Sequence, residues 1–500
     1  MTSIIAQAPI LAIILPLLGA PICALFRGIN FPWAFTTLVS ALSLWLSIDL
    51  VIYVAANGPI SYEIGGWAAP WGIEYVIDPL SSYMMLIISG ISTGVLLYAR
   101  ESIIKELPDT RLGLFFAAYL LALAGMMGIT ATGDAFNIFV FLEITSLSSY
   151  VLIAMGEKTD RRALTAAFQY LIMGTIGATF ILIGVGLLYV MTGTLNIADI
   201  ASRFDDIENT RPIRAAVGFL IVGIAIKLAM FPFHIWLPNA YSYAPNVITA
   251  FFAGTATKVS VYLMIRFIFT IFGADFSFGD LPLGQLLMPF AVMAFLSMSV
   301  VAIFQENLKR MLAFSSLAQL GYIVLGIALA SESGLTASIV TMFNHAIVKT
   351  GLFLSVGAMF YVTGSTYLKD LAGIGQRMPL TTFGFVMGGL GLIGVPLTPG
   401  FVSKWYLVQA ALERGDTLGY VLTVSMLISS LFAVIYIWRV VEIAYFRPAP
   451  EGSLKQEAPL SLIIPCWIFI GAGIYFSIDT SVSVGLAEQA ASFLMGGAAQ

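Results

Sequence analysis

Apolar stretches of about twenty residues recur along the whole of this 500-residue chain. Each is long enough to cross a hydrocarbon core of about 30 Å as a helix. They fall at roughly 4–25, 33–55, 79–98, 112–132, 135–155, 163–191, 213–231, 246–271, 283–304, 310–330, 335–362, 380–412, 417–443 and 459–478, fourteen in all. Within a bilayer the backbone must satisfy its own hydrogen bonds, so such a chain is expected to fold as an all-α, polytopic bundle. Composition agrees. Charged residues make up 10% of the chain and mean hydropathy is +0.95, whereas a soluble domain carries about 25% charged residues. No long hydrophilic block separates the segments, so 1–500 reads as one membrane domain. The most polar connections lie near 100–111, 193–212 and 447–457.

Several function classes drop out at once. Cys23 and Cys466 sit far apart in apolar runs, with neither metal-ligand spacing nor a disulfide framework. Two histidines cannot furnish a metal cluster or a set of haems, so no cofactor and no metal are expected. The net charge of −4 implies no nucleic-acid partner. The first segment lacks the basic start of a cleaved signal peptide and is expected to remain as the first span. Gly389, Gly391 and Gly394 spell GxGxxG, but no strand precedes them, so they read as helix-packing glycines.

Lysine and arginine placement orients the bundle. With an external N-terminus, fourteen of them fall in inward loops, among them Lys105, Lys158, Lys309 and Arg310. Five, Arg203, Arg211, Arg214, Arg266 and Arg414, fall in outward loops. The bias places both termini outside. The remaining four of the 23 basic residues lie inside spans, and all are lysines: Lys227, Lys258, Lys349 and Lys404. The choice has a chemical meaning, since a desolvated lysine can release its proton and arginine stays charged.

One carboxylate joins them. Glu143 lies near the middle of FVFLEITSLSSYVLIAM. A charge at the bilayer centre is disfavoured by about 2.5–3.5 kcal/mol on insertion scales, so it either holds helices together or is the purpose of the helix. Ser146 and Tyr150 follow on its face. Lys227 precedes Pro232 in GIAIKLAMFPFHIWLP, and the proline is expected to break the helix there. Such breaks are tolerated beside protein or water and build ion sites in transporters. Lys258 reads as mid-helix. His345 and Lys349 stack on one face at i, i+4, with Thr341 one turn earlier; His345 is either a proton relay or a core hydrogen-bonding residue. Lys404 follows Pro396, Pro399 and Gly400, which should split an overlong apolar run into two half-helices. His234, at the inward end of the first broken helix, is either a proton gate or an ordinary interfacial histidine.

Together FVFLEITSLSSYVLIAMG, KLAMFPFHIWLPNAYSYAPNVITAFFAGTATKVSVY, KRMLAFSSLAQLGYIVLG, NHAIVKTGLFLSVGA and GVPLTPGFVSKWYL resemble the antiporter-like subunits shared by Mrp-type cation/proton antiporters and respiratory complex I. FPFHIWLPNAYSYAP with TATKVSVY is most similar to the D-type chain of the Mrp antiporter. The resemblance implies fourteen helices with two inverted five-helix repeats, here 112–271 (helices 4–8) and 283–443 (helices 9–13), the seventh and twelfth helices being discontinuous. It also implies roles. Glu143 matches the fifth-helix glutamate, Lys227 its seventh-helix partner, Lys258 the central eighth-helix lysine, His345 and Lys349 the eleventh-helix pair, and Lys404 the twelfth-helix exit residue. Lysine at that last position argues against the M-type complex I subunit, which has glutamate there. Asn239 stands where the family often has aspartate.

The implied function is proton translocation through a buried Glu/Lys/His relay in a multisubunit Na⁺(K⁺)/H⁺ antiporter of a bacterial cytoplasmic membrane. Its partners would be subunits of the A, B, C, E, F and G types. The alternative is a proton-pumping subunit of a complex I-type or membrane-bound hydrogenase redox complex; a third reading makes the chain mainly structural. On the first reading the chain is a secondary transporter subunit and not an enzyme; on the second it is part of a redox-driven translocase.

Overall fold

The computed structural model describes residues 3–204, 207, 209–449 and 455–496. Parts of two expected polar connections, 205–206 with 208 and 450–454, lie outside the described residues. The first six spans are α1 (Ser3–Leu25), α2 (Asn30–Asn57), α3 (Pro79–Glu106), α4 (Leu112–Ala131), α5 (Ala135–Ala154) and α6 (Arg162–Thr192). After a short α7 (Ile197–Ser202) the seventh span comes in two pieces, α8 (Arg211–Leu228) and α9 (Trp236–Tyr243). The eighth is α10 (Asn246–Gly254) and α11 (Ala256–Ile265), continued by a π-helical turn to Ile271. Then come α12 (Leu283–Ile303), α13 (Leu308–Ala328), α14 (Glu332–Thr363) and a short α15 (Ile374–Arg377). The twelfth span is split into α16 (Pro379–Ile393) and α17 (Pro399–Leu412), followed by α18 (Thr417–Val441), α19 (Leu460–Ile478) and α20 (Gly485–Gly496).

Among the described residues, twelve helical segments are long and apolar enough to cross a membrane. The split seventh and twelfth spans complete the expected fourteen. The long α14 is the hub, packing against α3, α10, α13, α16, α17, α19 and α20. The spans of α4, α10–α11 and α13 are enclosed nearly all round, whereas α1, α2, α6, α12, α18 and α19 turn more than half of their residues outward. An apolar outer ring that keeps the charged side chains of the spans inside is what a bilayer solvent demands.

Each interruption has a local cause. The seventh span stops at Leu228, before Pro232 rather than at it, because Ala229 takes left-handed backbone (φ 58°). Lys227 therefore sits in the last turn of α8. The freed Ile226 carbonyl is met by the Trp236 indole N–H at 3.0 Å. The twelfth span stops because Gly394 (φ 90°) caps α16, and Pro399 opens α17 where its missing N–H is not needed. Gly394 is thus a helix terminator and not a packing glycine, while Gly389 and Gly391 do pack, on Ile437 and Val348.

Four expectations need correction. Lys258 is not in an unbroken helix: the eighth span is interrupted at Thr255 (φ −122°, ψ −60°). Arg266 is not in an outward loop; it is buried in a helix and paired to Asp78, so an arginine does remain within the span. Lys309, counted as a loop lysine, is 5% exposed. Finally, the connection between α2 and α3 holds an unforeseen hairpin, β1 (Ile60–Glu63) antiparallel to β2 (Glu74–Ile77), with Ile60 opposite Ile77, and α20 forms beyond the last expected span. The hairpin runs into Asp78, which caps α3 through Ser81 N at 2.8 Å.

Candidate functional site

Glu143 and Lys227 meet across α5 and α8. Lys227 Nζ lies 3.6 Å from Glu143 Oε1 and donates to Ser146 Oγ at 2.7 Å. Ser146, one turn on from Glu143, thus serves the lysine and not the carboxylate. The pair is asymmetric: the lysine side chain is 5% exposed and the glutamate 29%. Lys227 also stands at the C-terminal end of a helix, where the backbone carbonyls favour a cation. Around it Tyr150, Tyr170 and Trp236 form an aromatic wall, Tyr170 stacking on Trp236 at 4.1 Å.

The second group lies where α10–α11, α13 and α14 pack together. Lys258 is fully buried and its ammonium donates to Ala253 O. That carbonyl is at the end of α10, where the interruption at Thr255 diverts the Lys258 amide to Thr255 O (2.9 Å). Lys349, also fully buried, donates to Leu312 O at 2.9 Å. His345 is 4% exposed, and neither ring nitrogen has a partner. Lys258 and Lys349 are its charged neighbours. Thr341 spends its hydroxyl on Ala337 O and adds nothing to the group.

Lys404 spans the break in the twelfth helix. Its ammonium donates to Leu392 O (3.1 Å) and Ile393 O (2.8 Å), the free carbonyls of α16, and to Ser430 Oγ (2.8 Å). Three donors meet three acceptors, the full capacity of an ammonium. Asn344, the neighbour of His345, donates to Pro399 O and to Ser403 Oγ, both at 3.0 Å. Those bonds tie the histidine helix to the residue before Lys404.

Three of the four lysines therefore sit at helix interruptions or ends, and three of them bond main-chain carbonyls. The structure brings Glu143 to Lys227, and His345 to Lys258 and Lys349. No hydrogen bond among the described residues joins the first pair to the second group. His234 is brought to neither: it is half-buried beside Phe231 (centroids 5.5 Å apart), its Nδ1 without a partner. Asn239 lines no carboxylate site. Its amide accepts from Arg310 (2.7 Å) and donates to Gln169 (2.8 Å), bridging the α9 segment to α13 and α6.

Sequence reasoning missed two charged features. One is the buried Asp78–Arg266 pair, in which Arg266 also donates to Tyr262 Oη (2.9 Å). The other is Glu106, 5% exposed and accepting from Ser102 Oγ and the Asn246 amide. Asp78 immediately precedes an apolar run and Glu106 lies in the polar stretch near 100–111, so in the sequence each looks like an ordinary loop charge.

The family described as NADH:quinone oxidoreductase/Mrp antiporter, TM, matches residues 132–429. The chain is similar to the N-type subunit of the NADH-quinone oxidoreductase of Desulforudis audaxviator, 40% identical over 94% of this chain and 95% of that one. It is similar to the D-type subunit of the Na(+)/H(+) antiporter of Alkalihalophilus pseudofirmus, 32% identical over 79% of this chain and 78% of that one. Among solved structures it resembles a chain of the membrane-bound sulfane sulfur reductase, an archaeal respiratory membrane complex. There the TM-score is 0.89 and the identity 31%, over 98% of each chain.

Proposed function

Because the chain belongs to the NADH:quinone oxidoreductase/Mrp antiporter transmembrane family, we propose that it is the proton-translocating membrane subunit of a multisubunit Na⁺(K⁺)/H⁺ antiporter. The observation that carries this reading is the seating of the interior lysines. Lys258, Lys349 and Lys404 each hold a main-chain carbonyl inside the bundle. A lysine held this way is stabilised as an ammonium by neutral dipoles, with no carboxylate to lock the proton on. In this reading Glu143 and Lys227 begin the row, Lys258, the unpartnered His345 and Lys349 form its middle, and Lys404 ends it.

In this mechanism the Glu143–Lys227 pair acts as a switch. Opening the pair leaves a bare charge whose field reaches Lys258 through a low-dielectric interior; at 10 Å and an effective dielectric of 20 one charge shifts another by about 1.7 kcal/mol. A proton then passes from Lys258 by way of His345 and Lys349 to Lys404 and leaves. The segments 112–271 and 283–443 act as two inverted units; each contains a split span, with its break at 229–235 in the first and at 394–398 in the second, and the first has a further interruption at Thr255. His234 stands outside this path and serves at most at its mouth.

A subunit partner is needed on the α5 face. Phe136, Val140, Leu147 and Val151 point outward around the partly exposed Glu143. A carboxylate left against lipid at mid-span is strongly disfavoured, so another chain of the complex covers it. We assign the A, B, C, E, F and G subunit types as companions, in a bacterial cytoplasmic membrane with both termini outside. The similarity to the N-type subunit of a NADH-quinone oxidoreductase favours a second reading, the same proton path in a redox-driven complex. Purification of the intact complex separates the two. Small antiporter subunits, with Na⁺ or K⁺ collapsing a pH gradient in inverted vesicles, support the first; iron–sulfur and quinone-binding companions, with no cation-driven collapse, support the second and overturn the first.

A further inference from the structure

On the face that carries most of the basic loops, the bundle opens into a pocket of about 210 Å³. Its rim holds a closed surface pair, Asp160 with Arg162 at 2.6 Å; that guanidinium holds the Asp160 carboxyl below the usual carboxylate range. The floor is different. Glu106 ends α3 and Lys309 begins α13; both line the pocket, and both are 5% exposed. Glu106 accepts from Ser102 Oγ at 2.8 Å and from the Asn246 amide at 2.9 Å. Lys309 donates to Ala244 O at 2.7 Å and not to the carboxylate. A structural ion pair would have closed on itself. This one stays open around a polar space that has room for several waters.

The floor lies beneath the lysine group. Leu312 O, which holds Lys349, is three residues along α13 from Lys309, a rise of about 4.5 Å. Along α10, the Asn246 amide that holds Glu106 and the Ala253 carbonyl that holds Lys258 are seven residues apart, about 10 Å of helix. On α3, Tyr98 and Ser102 continue the face of Glu106 inward. The Tyr98 hydroxyl is fully buried and has no partner.

We propose that this pocket is the intake through which protons reach Lys349 and Lys258 from the basic-loop face, with Glu106 as the proton-accepting group at its floor and Lys309 as its counter-charge. The carboxylate takes a proton from pocket water to become the acid. It then passes that proton to a neutral amine of the lysine group and returns to the anion; only O–H and N–H bonds form and break. The Tyr98 hydroxyl, free of any fixed bond, lies on the way and can take one proton while giving another. Glu143 and Lys227 then control the row electrically without lying on the intake. This inference rests on the relay reading of the lysines.

The test uses the intact complex in inverted vesicles, whose outer surface is the basic-loop face. Ser242 lines the pocket and is 9% exposed, while both native cysteines are buried. In Ser242→Cys, or Thr366→Cys should the first not assemble, a charged, membrane-impermeant thiol reagent is expected to react and to cut proton movement at least tenfold. Glu106→Gln is expected to cut it as much at normal assembly, with Glu106→Asp recovering part of the rate; a purely structural role would not separate the two. Absence of reaction at both cysteines, or unchanged transport after full reaction, overturns the intake. So does normal transport by Glu106→Gln. If Glu143→Gln is inactive while these variants are normal, the intake alone fails. If Glu143→Gln is also normal, the relay reading fails with it.

Discussion

Lys227 reaches Glu143 at 3.6 Å while hydrogen-bonding Ser146 at 2.7 Å; the lysine is enclosed, and of the partly exposed glutamate the facing Oε1 is buried without a hydrogen-bond partner. The contact is loose for a buried ion pair, and the lysine has a second partner to keep when it lets go. That is the geometry of a pair that opens. Glu143→Gln removes the charge and preserves the shape. It is expected to reduce proton movement by the complex at least tenfold, with normal assembly on gels. Near-normal transport would assign the pair to helix packing.

Removing Lys258 should be worse than removing a loop lysine. Lys105 and Lys158 lie near the surface, where they bond Tyr361 O (2.9 Å) and Leu107 O (3.4 Å). Lys258→Ala is expected to abolish transport, whereas Lys105→Ala and Lys158→Ala keep more than half of it, since neighbouring positive charges maintain the topology. Equal losses in all three, measured at matched expression, would point to stability in place of the proton path.

The Asp78–Arg266 pair is expected to be structural. Breaking a buried pair from one side leaves an uncompensated charge and loses about 3–5 kcal/mol. Asp78→Ala should therefore lower the detergent melting temperature of the complex by several degrees, in part through the lost α3 cap. Asp78→Ala with Arg266→Met should recover some of that loss. If the double variant is less stable than Asp78→Ala, the two residues do not act as a pair.

Gly394→Ala tests the break in the twelfth helix. The residue has φ 90°, and a Cβ there would come within 3.0 Å of the Lys404 side chain. Left-handed backbone disfavours a non-glycine residue by about 1–2 kcal/mol, so the variant is expected to transport slowly even when it assembles. Gly186→Ala, whose Cβ would meet nothing within 4 Å, should behave as wild type. Equal behaviour of the two would remove any role for the left-handed cap in placing Lys404.

Much of this was legible in the sequence because lipid imposes a coarse rule: about twenty apolar residues per span, with loop charges setting direction. A charge inside a span then stands out, which is how Glu143, Lys227, Lys258, Lys349 and Lys404 were found. Charges at span ends do not stand out. Arg266, Lys309 and Glu106 were lost that way, since a buried end and a wet loop have the same local composition. The break at Thr255 carried only a weak signal, Gly254 beside a threonine, and nothing in a single sequence says that Gly254 must be bare because Thr350 and Ile91 crowd it. The grouping of His345 with two lysines needed three helices in register, which helical spacing alone cannot supply. His234 shows the reverse case, a conspicuous residue that the fold leaves at the edge.

The most direct test is Lys404→Arg, measured as cation-driven proton movement in inverted vesicles at matched expression of the full complex. Arginine keeps the charge and can still donate to Leu392 O and Ile393 O, and Lys404 is not fully enclosed, so there is space for the larger head group. It cannot give up its proton in a protein. If the lysines carry protons in turn, the row is cut at its last member, and transport is expected to fall to background while assembly is unchanged. Wild-type transport by Lys404→Arg would show that a fixed charge suffices there, and would contradict a lysine relay ending at this residue.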